Sequence, residues 1–428
     1  MSAPNPTPEE MPPEQSPGPQ ASAQWAVRWF AIVFVALLCA SVPLVHLIWH
    51  GLLGRDEPAI RTRAQKVAPV ATVTNVQSGD WMLKKQRELQ EASPITWWLR
   101  GHYNELRYRL DVPQSARVHF GAGEGGGDED WFFIKTSIRP NNRGFARATK
   151  ARRKFLAGVR DVVRAAGAEF LMVVIPDKAR VYADVAFADG ALPANKKGNY
   201  GRILAELQGL GIDTMDMATP MRAARAAVPS DEPGDQLFYA RDTHWRPAGA
   251  LVGGQLIAGE IERRYGKLLG PRRVARLNGP TKLRAVGDLT AMLGILSIVQ
   301  PDPVTGQRTV ALSLLSDQLA EERNYFGVDL VDGAASVPMY GDDPNAEVLL
   351  IGTSFSEENG MSAISFTLGR AIRGHIIRGA QGMKPLQAAL RDLRAAAADG
   401  AAPKPKLVVW EMVERGWFEG AWLDPKLP

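Results

Sequence analysis

Val348-Leu349-Leu350-Ile351-Gly352-Thr353-Ser354-Phe355-Ser356 opens on four apolar residues and breaks at a glycine into small hydroxyl residues. A short apolar run that ends in a turn reads as a strand buried on both faces, the kind a parallel sheet needs. The turn exposes a serine oxygen above the sheet edge, and its backbone N–H groups, those around Gly352 and Thr353 included, are placed to receive an oxyanion. Ser354 is therefore a candidate nucleophile, against the alternative of a serine that caps the next helix. Ser356, farther from the strand end, is the weaker candidate.

Working outward, three further apolar runs repeat the pattern at 169–175, 212–217 and 407–412. Helical spacing is predicted between them at 145–166, 200–210, 247–265, 360–373 and 384–398. Pro247 suits the first turn of its helix, where a missing N–H costs nothing. Alternation of strand and helix implies an α/β fold, a flavodoxin-like and mostly parallel sheet covered on both faces, with active residues in loops at the carboxyl ends of strands. The stretch 278–344 is less regular and reads as an excursion from that core. No internal repeat is seen.

Past residue 100 the chain has only His102, His119, His244 and His375, so a histidine-rich metal site would need nearly all of them to converge. No metal and no cofactor is expected. His244 stands out by context, Tyr239-Ala240-Arg241-Asp242-Thr243-His244-Trp245-Arg246-Pro247, a loop just before a helix. Asp242 can turn back onto the imidazole, fix its tautomer and stabilise the imidazolium. A lone histidine beside an aspartate is also a common structural pair. Together, however, the serine turn and the Asp-x-His loop belong on the same carboxyl edge of one sheet.

These two motifs resemble the SGNH-hydrolase-like alginate O-acetyltransferases of the AlgJ and AlgX type, in which Asp-x-His precedes the serine turn. The resemblance extends to Val118-His119-Phe120-Gly121 with Asp130-Trp131-Phe132-Phe133, to Pro176-Asp177-Lys178 with Tyr182, to Gly287-Asp288-Leu289 and to Trp410-Glu411-Met412-Val413-Glu414-Arg415. It covers roughly residues 115–418. It implies a catalytic triad of Ser354, His244 and Asp242, acetyl transfer through an acetyl-serine to hydroxyls of an exported polysaccharide, and a membrane-bound O-acyltransferase partner that delivers acetyl across the inner membrane within an export complex. Lys178, Tyr182 and Trp245 are candidate substrate-binding residues; Lys178 reads equally as a loop lysine. Glu411 and Arg415 read as an ion pair ending the last strand. Two departures stand out: the turn near Trp131 carries the insertion Glu124-Gly125-Gly126-Gly127-Asp128-Glu129, and no carbohydrate-binding module follows residue 418. Gly121, Gly123 and Gly126 mimic a dinucleotide fingerprint, but acids rather than a helix follow them. The carboxylates of Asp128, Glu129 and Asp130 read as solvated rather than as a calcium site.

The 428 residues are 45% hydrophobic and 23% charged, which excludes disorder throughout, and carry a formal charge of +5. Lys and Arg are mixed with acids and lack the aromatic interleaving of a nucleic-acid face, so no nucleic-acid partner is expected. A mildly basic surface would still favour an anionic polymer. The single cysteine, Cys39, permits no internal disulfide. Residues 1–24 are a Pro-rich tail, 25–49 an apolar, Trp-flanked segment long enough to span a bilayer as an uncleaved anchor, 50–114 a linker with stalk helices, and 115–428 the catalytic domain. Arg55, Arg61, Arg63 and Lys66 after the charge-free stretch 29–49 outnumber Arg28 before it, which by the positive-inside rule points the domain to the cytoplasm. Acetyl transfer to an exported polymer instead implies the periplasm. The competing functions are a membrane-tethered carbohydrate acetylesterase with the same triad and a noncatalytic scaffold of the export complex.

Overall fold

The computed structural model describes residues 103–106, 108, 110, 117–122, 130–227, 236–293, 319–332, 335–338, 343, 345–376, 384–399 and 404–418. The predicted tail, the membrane span and most of the stalk lie outside these residues, as does the acidic insertion at 124–129. Among the described residues no helix is long and apolar enough to cross a membrane.

The strands, in chain order, are β1 (Val118–Phe120), β2 (Phe132–Ile134), β3 (Glu169–Ile175), β4 (Asp213–Thr214), β5 (Val274–Val286), β6 (Ala320–Asp332), β7 (Ala335–Pro338), β8 (Val348–Gly352), β9 (Ile372–Ile376) and β10 (Leu407–Val413). The helices of eight residues or more are α1 (Asn142–Ala165), α2 (Asn199–Gln208), α3 (Ala218–Ala227), α4 (Pro247–Tyr265), α5 (Met361–Leu368) and α6 (Lys384–Asp399).

A parallel sheet with the order β4-β3-β10-β8-β9 forms the core. Its register pairs Glu169 through Ile175 with Leu407 through Val413, so the two central strands run side by side along their full length. Side chains alternate across the sheet. Leu171, Val173, Ile175, Val348, Leu350 and Val409 pack on one face with α4 and α5. Phe170, Met172, Val174, Leu349, Ile351 and Trp410 pack on the other with α1, α2 and α6. Each such aliphatic side chain, fully buried, contributes about 1.5–3 kcal/mol. The absence of a polar face explains why these strands read as continuous apolar runs.

Two predicted elements differ from the structure. The run 212–217 pairs only at Asp213–Thr214, because Asp216 turns the chain by accepting the Ala218 N–H at 2.8 Å and so starts α3. The helix predicted over 360–373 stops at Leu368, where Gly369 takes a left-handed φ of 61°, and Ile372–Ile376 becomes the edge strand β9.

The irregular stretch after residue 273 contains an antiparallel ribbon, β5 with β6, extended by β7. β5 is largely exposed, and β6 buries the charged Glu321 and Arg323 as well as Val328 and Leu330, so no apolar alternation marked the ribbon in the sequence. β10 lies between the crossover units β3–β4 and β8–β9, and the crevice at the carboxyl ends of β3, β8 and β10 is the topological switch point, where α/β sheets bind ligands.

Candidate active site

Residues 237–246 form a tight hairpin. Phe238 bridges Trp245, and the Arg246 N–H donates to Leu237 O at 2.9 Å. The tip presents Asp242, Thr243 and His244. Such a tip leaves several backbone groups without ladder partners, and buried groups need them. Three charged side chains supply them. Lys178 Nζ donates to Phe132 O, Ala240 O and Asp242 O at 2.7, 2.7 and 3.1 Å. Glu321 accepts the Ala240 and Arg241 N–H groups at 2.9 and 3.0 Å. Asp288 accepts from the Thr243 N–H at 2.7 Å and its hydroxyl at 2.6 Å. Gly287 lies so close that a Cβ there would sit 2.2 Å from Arg241 O, so only glycine fits.

The strand β8 delivers Ser354 to the same place. His244 Nε2 lies 2.6 Å from Ser354 Oγ, and His244 Nδ1 lies 2.6 Å from Asp242 Oδ1. Asp242 also accepts the His244 N–H at 2.9 Å on Oδ1, the Asp288 N–H at 2.7 Å on Oδ2, and the Arg323 guanidinium on Oδ2. Asp242 is fully buried, His244 is 8% exposed and Ser354 is half-buried, so the polar line runs from the interior to the surface. Burial would push the Asp242 carboxyl up, but Arg323 and His244 hold it well below the ordinary carboxylate range. Asp242, His244 and Asp288 bring three possible metal-ligand atoms within 4.8 Å of one another. Their lone pairs are already engaged, and the cation set against Asp242 is Arg323.

The serine turn is built from below by Glu411 of β10. This carboxylate, 1% exposed, accepts the Thr353 N–H and the Ser356 hydroxyl on Oε2, each at 2.8 Å, and the Thr353 hydroxyl on Oε1 at 2.8 Å. Burial pushes the Glu411 carboxyl up, against these hydrogen bonds. Gly352 permits the approach, since a Cβ there would lie 2.2 Å from Ser356 Oγ. Beyond Ser354 the chain makes a π-helical turn, Ser356–Gly360, in which Asn359 takes φ 66°. Asn359 accepts the Phe326 N–H and donates to Asn324 O, both at 2.9 Å, which fastens the ribbon beside the serine loop. Such single π turns concentrate at functional sites.

The structure brings Ser354, His244 and Asp242 together and engages the other sequence-assigned residues in contacts within the protein. Lys178 is 5% exposed, spends its three donors on carbonyls and lies against the Trp131 and Phe133 rings. Tyr182 is buried under Trp131, with its hydroxyl oxygen accepting the Leu237 N–H at 2.9 Å. Trp245 is 1% exposed, edge-on to Phe355 and packed on Gly253 and Gly360. The Thr353 N–H, assigned to the oxyanion from sequence, is spent on Glu411, and Gly352 serves the packing of that turn. Among the described residues nothing accepts the Ser354 N–H. The expected pairing of Glu411 with Arg415 is replaced by Arg180–Glu414 at 2.6 Å, backed by Lys196–Asp177 at 3.0 Å. His119 Nε2–H donates to Ala186 O at 3.1 Å, and His375 lies in edge strand β9.

Arg323, Glu321 and Asn359 went unread in the sequence because they lie in or beside an exposed ribbon with no motif spacing to the triad. Asp288 stood in a block already quoted, Gly287-Asp288-Leu289.

The model of the SGNH hydrolase-like domain of the acetyltransferase AlgX matches residues 126–414. The chain belongs to this family. As a family member it is an O-acetyltransferase of the SGNH type. A probable alginate O-acetylase AlgJ of Pseudomonas putida is 28% identical over 291 residues, 68% of this chain and 69% of that protein. The namesake of Azotobacter vinelandii is 28% identical over 360 residues, 80% of each. The solved O-acetyltransferase domain of Pseudomonas putida AlgJ shares the fold, with a TM-score of 0.51 at 24% identity, covering 73% of this chain and 94% of that one.

Proposed function

We propose that this family member acetylates hydroxyls of an exported polysaccharide through an acetyl-serine on Ser354. The observation that carries the reading is the unbroken hydrogen-bonded line from Ser354 Oγ through His244 to Asp242. His244 Nε2 takes the Ser354 proton as Oγ attacks the acetyl carbonyl of the donor; the donor's alkoxide or thiolate leaves with the proton that His244 returns. A sugar hydroxyl then attacks the acetyl-serine, again deprotonated by His244, and Ser354 is regenerated. The Ser354 N–H supports the oxyanion, the position from which a donor contributes roughly 10²–10³ in rate. Asp242 orients the ring and stabilises its charged form.

The polysaccharide acceptor is supported by the alginate O-acetylases among the relatives. Acetyl-coenzyme A is a cytoplasmic metabolite, so acetylation of an exported polymer calls for a membrane-bound acyltransferase as donor and for a periplasmic domain. The apolar segment at 25–49 would anchor the chain to the inner membrane beside that donor and the export complex. The test is turnover of a chromogenic acetyl ester by the full-length chain, with and without oligosaccharide acceptors, beside Ser354→Ala. Ester turnover lost in the variant, with acetylated oligosaccharide among the products, supports the transferase. Acetate release that acceptors do not suppress supports a carbohydrate acetylesterase. Identical behaviour of the two proteins leaves a scaffold role.

A further inference from the structure

Asp288 addresses all three residues at the tip of the catalytic hairpin. It follows β5 as the first residue of the short helix Asp288–Met292. Its backbone N–H donates to Asp242 Oδ2 at 2.7 Å, and its carboxylate accepts from the Thr243 N–H and hydroxyl at 2.7 and 2.6 Å. Its Oδ2 lies 4.0 Å from His244 Nδ1. The amide contact engages Oδ2 of Asp242 and so leaves Oδ1 turned to the imidazole, which it meets at 2.6 Å.

Anchoring Thr243 does not call for a charge. An asparagine would accept the Thr243 N–H on its oxygen and donate to the hydroxyl through its amide. A carboxylate in this place is the costlier choice, because burial and the neighbouring Asp242 push it up, against His244 and the two Thr243 hydrogen bonds.

The charges around the imidazole account for it. Arg323 of β6 ion-pairs with Asp242 and cancels its charge. Glu321 and Arg246 cancel each other at 3.1 Å. Lys178, just beyond the end of β3, has its donors on three carbonyls, and burial brings its ammonium down to about 7. When His244 takes the Ser354 proton, a positive charge therefore forms in a site whose triad acid is already matched by an arginine. Among the described residues Asp288 is the hairpin carboxylate without an arginine or lysine partner, and it stands 4.0 Å from the ring nitrogen.

We propose that Asp288 is a positioning residue for acetyl transfer, which steers Asp242 Oδ1 onto His244 and supplies the counter-charge for the imidazolium formed in both acyl steps. The inference rests on His244 acting as the base for Ser354. It divides between two residues the work that a simple triad gives to one acid: Asp242 fixes the tautomer, and Asp288 balances the charge.

The experiment follows turnover of a small acetyl ester by the full-length chain against pH, beside thermal melts. The variants are Asp288→Asn, which keeps the shape and removes the charge, and Thr243→Val, which loosens the anchor and keeps the charge. An opposite charge within ~4–6 Å favours the charged form of its neighbour by about 1–3 pH units, so in Asp288→Asn the acid limb of kcat/KM should move down by roughly one unit. The weaker base should lower kcat by about threefold to tenfold, with KM for the small ester unchanged. Thr243→Val should melt lower and keep the limb in place. If Asp288→Asn does not fold, Asp288→Ser, which retains an acceptor for the Thr243 N–H, should show the same displacement. An acid limb that stays put in the folded neutral variant overturns the proposal. Equal displacement in Thr243→Val overturns it too, since the anchor alone would then explain the loss. Failure of the Ser354 reading shows separately, as ester turnover indifferent to Ser354→Ala, whereas an unmoved limb in a protein that still needs Ser354 counts against Asp288 alone.

Discussion

Glu411 Oε2 accepts the backbone N–H of Thr353 at 2.8 Å, so the amide next to the nucleophile is turned down into the protein and away from the cleft. The turn is held in that pose by a carboxylate from the neighbouring strand. Removing it strands a buried N–H and two hydroxyls. Glu411→Ala should destabilise the protein by about 1–3 kcal/mol and lower kcat by more than tenfold, whereas Glu411→Gln, which can still accept from Thr353, should keep most of both. Urea melts and ester kinetics on the two variants check this; equal loss in both would mean that the carboxylate's charge, not its shape, holds the turn.

Arg323 and Asp242 are a buried pair, and breaking one side leaves the other charge uncompensated. Arg323→Met should cost about 3–5 kcal/mol, and Asp242→Asn/Arg323→Met should recover much of that stability while activity stays low, down by roughly 10³–10⁴ as for a triad lacking its acid. Thermal melts beside kcat separate the two effects. Full recovery of activity in the double variant would remove Asp242 from the mechanism.

Lys178 sets a pH dependence. Burial pushes its ammonium down to about 7, opposed by Glu321, Asp242 and Asp288. A free lysine titrates near ~10.4, so between about pH 7 and 10 the unfolded chain holds a proton that the folded one has released. Stability contributed by this group therefore rises with pH across that window, by at most about 1.4 kcal/mol per unit, and is flat below it. Lys178→Met should be less stable overall, having lost three carbonyl contacts, and should show a shallower rise between pH 7 and 9.5. Parallel slopes in denaturant titrations of the two proteins would refute this.

Asn359 does two jobs, adopting φ 66° and tethering the ribbon through Phe326 and Asn324. Asn359→Gly keeps the first and loses the second; Asn359→Ala loses both. The expected order of stability is wild type above glycine above alanine, the last step being about 1 kcal/mol for the left-handed backbone. Glycine and alanine variants equally far below wild type in thermal melts would show that the tether, not the backbone angle, governs this turn.

The sheet was legible because β3, β8 and β10 are buried on both faces, and a doubly buried strand announces itself as an uninterrupted apolar run. His244, Asp242 and Ser354 were legible because each sits in a short local pattern at the end of such an element. The supports of the site were harder to read. Lys178 and Thr353 look accessible in sequence, since a strand-end loop gives no sign of which polar groups its neighbours will consume. Glu411 and Arg323 act across 58 and 81 residues respectively, on Thr353 and Asp242, through contacts that exist only once the chain has folded. The ribbon offered no apolar periodicity, since β5 is largely exposed and β6 buries the charged Glu321 and Arg323 along with Val328 and Leu330.

That ribbon gives the enzyme a form of self-inspection. The sheet alone can present a serine beside a histidine, yet the charge that keeps Asp242 ionised arrives from β6, threaded in from a separate antiparallel element. A chain whose ribbon is displaced, nicked or not yet seated would carry an unbalanced acid beneath its imidazole and a slackened loop beyond its serine. The ionisation of Asp242 is thereby tied to the seating of an element that lies outside the parallel sheet.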